Sequence, residues 1–408
     1  MANYSTVKSY FETTLIHFPI AQAAFTPTLT DARITATYQD ENYIGFEAVS
    51  TSTEGVCRHC GQVLTRFKQY RTNYLTLARH NMHKVVLKLQ KKMYRCPDCK
   101  ACTTEQPMKD RTGLRQSTDS CIRSIVGCLK ENLSFSGVAR LYQTSPTSVV
   151  RAFDRADLSQ TQVDRQDVRN LSVDEVRFIR KRGSANYQCV IIDSDRKQVL
   201  DILPSRHSLE VEAYLKAHYQ EIDTFTQDLW RPYQRIACKL FEGVKVVADC
   251  FHVVRQFMWA FSRTRVAIAK KHHQKTCRHW RILTKAMDKL DEGGKARLEE
   301  ILAQDEQLRQ AHQVKEMALS LFRSKDSGAY LKALPAFEEL IEAYGLTEFK
   351  KALKSIRNWH EEVLNMFDYD YSNGATERIN RTIKQAKNIA FGFGNLARAT
   401  RLVQYRVN

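Results

Sequence analysis

No stretch of this 408-residue chain holds the roughly 18 consecutive apolar residues that a membrane-spanning helix needs. Its first residues, MANYSTVKSYFETTLIHFPIAQAAF, lack a basic segment followed by an uninterrupted apolar one, so no secretory signal is expected. Internal repeats and low-complexity tracts are also missing, which excludes a repeat array. Acidic residues are in deficit: 45 Asp and Glu face 63 Lys and Arg, a formal charge of +18. Such an excess attracts polyanions, of which nucleic acid is the commonest. Attraction to an anionic membrane would need Lys and Arg clustered beside an exposed apolar helix, and none is found. The cations are instead spread along the chain, as suits several contacts with one long ligand.

The chain is long enough for two to four domains, each with its own core. Eleven cysteines in a reducing compartment do not read as a disulfide framework. Seven of them (Cys102, Cys121, Cys128, Cys189, Cys238, Cys250 and Cys277) are isolated, and most are expected to be buried small apolar residues. The other four form two knuckles, Cys57 and Cys60 in GVCRHCGQ and Cys96 and Cys99 in YRCPDCKA. Each knuckle can point two thiolates at one tetrahedral Zn²⁺. Between them, KVVLKLQKKMYRC alternates Val85, Leu87, Leu89 and Met93 with Lys88, Gln90, Lys92 and Tyr94. That pattern predicts a strand, and with it a hairpin bridging the knuckles in a zinc-ribbon-like module. A redox dithiol is the competing reading, and His59 and Cys102 are substitute ligands.

Residues 117–157 predict a helix carrying Ile122, Ile125, Val126 and Leu129, then two short helices separated by QTSPTSV. Ser145 followed by Pro146 fits an N-cap with proline at the first helical position. Two short helices with a tight turn resemble a helix-turn-helix, which would bring Thr147, Ser148 and Arg151 to DNA; a plain three-helix packing module is the alternative.

From Val168 the order reads strand, strand, strand, helix, strand, helix, strand. This is the order of a ribonuclease H-like fold, three antiparallel strands extended by parallel ones through helical crossovers. Leu171 and Val173 alternate with Ser172 and Asp174, predicting a strand with an acid on its solvent or cleft side. Ser208 is the expected cap of the first crossover helix, and further strands end at Asp228 and Asp249. Residues 252–370 read as helical, broken most clearly at DEGG (291–294) and RSKDSG (323–328).

The segment YSNGATERINRTIKQAKNIAFGFG, residues 371–394, starts one further helix. It carries a lone acid, Glu377, followed by Arg378, Arg381, Lys384 and Lys387. At 100° per residue, Ile379, Ile383, Ala386 and Ala390 make an apolar stripe, roughly opposite one of Glu377, Arg381, Lys384 and Asn388. Displacement at a phosphodiester needs divalent ions about 3.5–4 Å apart, held by carboxylates from separate elements. Asp174, Asp228 and Glu377 are the expected set for Mg²⁺. Asp249, three residues before His252, is the alternative second aspartate or an accessory group. Turn or helix capping is the plainer role for any one of these acids taken alone.

The paired knuckles, SVDE (172–175), TQDLWRPY (226–233), VADCFHVVRQ (247–256) and SNGATERINRTIKQAKNIAFGFGN (372–395) resemble the ISL3 family of insertion-sequence transposases. That family lies within the DDE transposase and retroviral integrase superfamily. The resemblance implies a multidomain α+β protein: an N-terminal segment (1–40), a zinc-binding domain (41–105) and a helix-turn-helix (106–160). A ribonuclease H-like catalytic core (165–255 with 371–400) follows, interrupted by a helical insertion (256–370). It further implies binding to double-stranded terminal inverted repeats and target DNA, and Mg²⁺-dependent cleavage and strand transfer. A homodimer or larger synaptic complex, and a bacterial cytoplasmic location on the nucleoid, are implied as well. The segment after Tyr405 is short against that pattern, so a C-terminal tail is not expected. Two other functions fit the residues: a non-catalytic DNA-binding regulator, and a nuclease that hydrolyses without joining.

Overall fold

The computed structural model describes residues 29, 32–80, 83–105, 117–161, 163–178, 187–273, 275, 279–369, 373–389 and 394–408. For residues 373–377 it describes the backbone alone. The fold is mixed α/β and divides into two compact units: Met1–Ser159 with Asn388–Phe391, and Gln160–Lys387 with Gly392–Asn408.

The first unit holds a sheet of Ala32–Gln39 (β1), Tyr43–Ser50 (β2), Phe67–His80 (β5), His83–Arg95 (β6) and Cys102–Thr104 (β7). The order is β1-β2-β6-β5, with β7 also paired to β6. Its core gathers Ile44, Phe46, Leu75, Val85, Leu87 and Leu89, the last three from the apolar face predicted for β6. Val86, on the opposite face, is covered by Tyr43 and Tyr74. Gly55–Val56 (β3) and Val63–Leu64 (β4) form a two-stranded piece within the first knuckle. Helices Asp119–Lys130 (α1), Phe135–Leu141 (α2) and Pro146–Arg155 (α3) follow. The hydroxyls of Thr118, Ser134 and Ser145 accept from the backbone N–H of Cys121, Gly137 and Ser148, so each helix starts on a side-chain cap.

The second unit is built on Asn170–Val176 (β8), Gln188–Asp193 (β9), Gln198–Leu203 (β10), Thr224–Gln227 (β11) and Lys245–Ala248 (β12). The strand order is β10-β9-β8-β11-β12. β8, β9 and β10 pair antiparallel, and β11 runs parallel to both β8 and β12. Crossover helices Ser208–His218 (α4) and Arg231–Leu240 (α5) bury Val211, Leu215, Tyr233 and Ile236 against Leu171, Val173, Ile191 and Phe225. On the other sheet face, Ile379, Ile383 and Ala386 of Asn373–Ile389 (α13) and Ala399 and Val403 of Leu396–Val407 (α14) pack on Val176, Val190, Ile192 and Val199.

The alternation in β8 predicted an acid on its solvent or cleft side. It is not the solvent side: Ser172 and Asp174 are buried as well as Leu171 and Val173, because helices cover both sides of the sheet, and Asp174 lines a cleft. Ser208 is not the cap of α4 either. His207 occupies that position, and Ser205 forms the nearby polar contacts instead, accepting from the His207 N–H and donating to Glu210.

Between β12 and α13 lie Cys250–Lys271 (α6), Trp280–Thr284 (α7), Glu292–Leu302 (α8), Glu306–Leu321 (α9), Ser327–Ala343 (α10), Thr347–Arg357 (α11) and His360–Asp368 (α12). They close around Phe257, Phe261, Val314, Phe337 and Phe349. The two expected breaks are capped helix starts, Asp291 for α8 and Asp326 for α10. Among the described residues, no helix is long and apolar enough to cross a membrane.

Candidate functional site

The parallel register decides which acids meet. β11 pairs with β8 up to Gln227 opposite Val173, and with β12 up to Gln227 opposite Ala248. The next residues are Asp174, still within β8, and Asp228 and Asp249, which follow the ends of β11 and β12, so three aspartates fall in a row across neighbouring strands. Adjacent strands lie about 4.8 Å apart, close enough for carboxylates to share a ligand. The backbone N–H of Asp249 donates to Gln227 O at 3.0 Å, carrying the register one residue beyond the ladder.

His252, in the first turn of α6, reaches back into this row. Its Nδ1 lies 2.8 Å from Asp228 Oδ1 and 2.9 Å from Asp249 Oδ2. Nδ1 carries one proton at most and is within hydrogen-bond distance of both carboxylates. Asp249 Oδ1 also accepts from Phe251 N at 2.9 Å, capping α6. Both Asp249 oxygens are therefore engaged, while buried Asp228 Oδ1 faces the His252 ring at 2.8 Å. Asp174 Oδ1 accepts from Glu175 N at 2.6 Å, and its Oδ2 accepts from the Asn380 side-chain amide on α13. Asn380 Oδ1 is left buried and unpaired. Ligand atoms of Asp174, Asp228 and His252 lie within 4.8 Å of one another.

Burial pushes the Asp228 carboxyl up to about 6, against the opposing pull of His252. Burial works against charge on His252, but the contacts with Asp228 and Asp249 outweigh it and raise the imidazole to about 9. In metal-free protein His252 is therefore expected to remain protonated at neutral pH. Its stabilising contribution is complete below about 6.5 and fades as pH rises through about 9. Asp228 has the same dependence in a lower window, since its raised carboxyl favours folding fully below about 3.8 and that contribution fades as pH rises through about 6. The ¹⁵N shifts of His252 across pH 5–10 check this, and a midpoint near 6.5 would refute it.

The aspartates lie on a cleft of about 920 Å³ that is also lined by Arg177, Arg206, Arg255, Arg381 and Lys384. Acids at the floor and cations along the walls suit an anionic ligand that meets a cation at the acids. Of the other residues singled out by sequence, Arg378 is exposed on α13. The side chain of Glu377 lies outside the described residues. In the first unit, Thr147 and Arg151 are exposed on α3, while Ser148 donates its N–H to Ser145 and shares a hydroxyl contact with it.

A second cluster, wholly within the first unit, joins the knuckles. Cys57 Sγ lies 3.5 Å from Cys99 Sγ, and Cys60 Sγ lies 3.6 Å from Cys96 Sγ. All four sulfurs fall within 4.8 Å of each other. Backbone N–H groups of Cys60 and His59 lower the Cys57 thiol to about 6, towards the thiolate a metal takes. The substitute candidates Cys102 and His59 are not in this cluster.

Asn380 was missed at the level of sequence. It sits three residues after Glu377, on the same side of a helix, and that spacing was the available signal. The exposed aromatics Phe251 and Trp259 were missed too, although Phe251, Arg255 and Trp259 are spaced four residues apart.

No curated protein sequence matches the chain. Among solved structures, the Drosophila P element transposase strand transfer complex aligns at 12% identity and a TM-score of 0.38, covering 73% of this chain and 92% of that one. The family of ISL3-type DDE transposases, described as transposase, matches residues 171–401. That span runs from β8 through the aspartate row to α14 and takes in more than half the sequence. The chain belongs to the ISL3 family of DDE transposases.

Proposed function

We propose that this protein is an active DNA transposase that binds the terminal inverted repeats of its element, cuts DNA there and joins the ends to a target. The observation that carries this reading is the row of Asp174, Asp228 and Asp249 across the neighbouring parallel strands β8, β11 and β12. The strand order β10-β9-β8-β11-β12, with β9 antiparallel, supports a ribonuclease H-like core for residues 165–255 and 371–400. On this reading residues 256–370 are its helical insertion, 106–160 a helix-turn-helix, 41–105 the zinc-binding domain and 1–40 a segment of unassigned role.

The donor set fits Mg²⁺, a hard cation that takes oxygen ligands. Asn380 Oδ1 is a buried oxygen without a partner, Asp228 Oδ1 faces His252, and Asp174 lies beside both Asp228 and Asn380. Asp174, Asp228 and Glu377 would hold the ions. Two such ions, when bound, supply the positive charge that in-line displacement at phosphorus demands. The chain's own residues set the geometry around them. Asp249 caps α6 and fixes His252, which holds the Asp228 carboxylate in place, while Asn380 orients Asp174. This division of labour favours Asp228 over Asp249 as the second metal ligand. Arg381 and Lys384 on the cleft wall, with Arg378 on the same helix, are suited to hold DNA phosphates. Thr147, Ser148 and Arg151, at the start of α3, would meet a groove of the repeat.

The four thiolates fit zinc. A tetrahedral site with Zn–S near 2.3 Å sets sulfurs about 3.8 Å apart, close to the separations found.

The experiment supplies the purified protein with Mg²⁺ and duplex DNA bearing the sequences that flank its own gene. Cuts at the element's ends, followed by joining of those ends to a second duplex, are expected. Cut ends without joined products would identify a hydrolytic nuclease. Binding without cutting would identify a regulator. Two ends held in one complex would show the proposed dimeric or larger synapse.

A further inference from the structure

Two adjacent acids of β8 have different surroundings. Leu171 and Val173 pack against α4 and α5, whereas Val176 packs against α13 and α14. Side chains alternate along a strand, so Glu175 belongs to the α4/α5 face. Asp174 belongs to the α13 face, where Asn380 donates to it. Asp174 joins Asp228 and His252 in the group able to hold a metal, and Glu175 does not. The Glu175 carboxylate accepts instead from Arg206 Nη1 at 2.7 Å; its side chain is 13% exposed, that of Arg206 44%. The Arg206 guanidinium also lies 5.4 Å from the ring centres of both Tyr187 and Trp230. Trp230 stands edge-on against buried Tyr233, and Arg177 lies 5.1 Å from the Tyr187 ring centre.

An ion pair between two mobile surface side chains contributes little. Here the acid is largely buried, and one carboxylate and two rings fix the arginine on a cleft wall. Ordering the guanidinium in advance lowers the cost of binding a ligand to it. Glu175 engages one nitrogen of the fork, which leaves further N–H donors for a second partner. Planar forks of this kind match phosphate oxygens. The two faces of β8 indicate which phosphate. Arg381 and Lys384 belong to α13, on the Asp174 face, whereas Arg206, with Arg177 beside it across Tyr187, lies on the Glu175 face. All four line one cleft. Joining brings two DNA segments to the same acids, the cut end and the target. Two duplexes repel each other, so each needs cations of its own.

We propose that Arg206, held in place by Glu175, clamps a backbone phosphate of the target DNA, on the opposite face of β8 from the cations that hold the element's end. Glu175 acts through Arg206 and is a positioning residue. The clamp rests on the reading of this cleft as a site that cuts and joins DNA.

The test supplies element ends already cut, with Mg²⁺ and a plain duplex as target, so that joining is measured apart from cutting. Arg206→Ala is expected to raise the target concentration for half-maximal joining by about tenfold to a hundredfold, the loss of a charge-assisted phosphate contact. Joining at saturating target, and cutting of an uncut element end by the same preparation, should fall far less, which also shows that the variant folds. Glu175→Gln keeps the shape but not the charge, and should raise the half-maximal concentration by about twofold to fivefold. Arg206→Lys keeps the charge but not the fork, and should recover only part of the alanine loss. Equal losses of cutting and joining in Arg206→Ala overturn the target assignment and put Arg206 on the element's own end. A slower rate at saturating target with the half-maximal concentration unchanged overturns the clamp. Glu175→Gln indistinguishable from wild type overturns the positioning role. Wild-type protein that neither cuts nor joins overturns the cleft reading itself, and the clamp with it.

Discussion

Asp174→Ala and Asp228→Ala are each expected to cut DNA about a thousandfold more slowly than wild type, or worse, while binding the element's ends with similar affinity. The size follows from the chemistry. A metal ligand lost from a phosphoryl site removes several kcal/mol of charge stabilisation, and each 1.4 kcal/mol is tenfold in rate. Binding should survive because DNA affinity comes mainly from cations contacting phosphates, and the protein carries an excess of 18. Glu377→Ala belongs to the same class. Asp249→Asn should behave differently, since its oxygens are spent on the Phe251 N–H and His252 Nδ1. A residue that orients a ligand typically costs ten- to a hundredfold, so an intermediate loss is expected. Single-turnover cleavage of an end-labelled duplex separates the classes. Full activity in Asp228→Ala together with none in Asp249→Asn would reverse the assignment of the second aspartate.

Removing zinc should have an equally large effect, on structure rather than rate. The knuckles have almost no apolar core of their own. Cys57, Leu64, Tyr94 and Cys96 are buried, with Cys99 and Ala101 packed against them, so half of this small cluster consists of proposed ligands. β3 and β4 contribute only two residues each. A structural zinc contributes on the order of 10–16 kcal/mol in small isolated modules, far more than such a core can supply. Purified protein should hold one zinc per chain. Chelation or Cys96→Ser should open the amides of residues 51–66 and 95–104 to hydrogen exchange. The neighbouring sheet around Phe46, Leu75 and Leu87 has its own core and should stay protected. Zinc-free protein with protected knuckle amides would argue against the metal site.

Features written in local spacing were legible in the sequence. The cysteine pairs, the Ser145–Pro146 helix start and the Ile379/Ile383 stripe each lie within a turn or two of chain, and the structure contains the cysteine cluster, the cap and the buried stripe. The strand order also followed from alternation and loop length. Choosing between Asp228 and Asp249 did not, because both end parallel strands beside β11's register and both could reach the same ion. What separates them is a hydrogen-bond count involving His252 and the α6 cap, which depends on side-chain directions. Asp174 needed two signals together. Alternation says which residues share a sheet face, and the apolar Ile379/Ile383 stripe, some 200 residues later, supplies the helix that packs on that face. Asn380 escaped because an uncharged amide carries no signature until its partner is known.

The late arrival of that helix has a consequence for how the protein is made. Among the described residues, the sheet face formed by Val176, Val190, Ile192, Val199 and Ile202 is covered mainly by Ile379, Ile383, Ala386, Ala399 and Val403. Translation at about 5–20 residues per second leaves that face without its cover for on the order of 10–40 s after β10 has emerged. During this window the nascent chain presents an open apolar surface that invites chaperone binding or aggregation. Asn380 is also absent, so the aspartate row is incomplete. A ribosome stalled anywhere in the helical insertion would therefore release a protein able to build its first unit but lacking a finished cleft. The proposed cutting activity is in this sense withheld until synthesis is nearly done, by chain order alone.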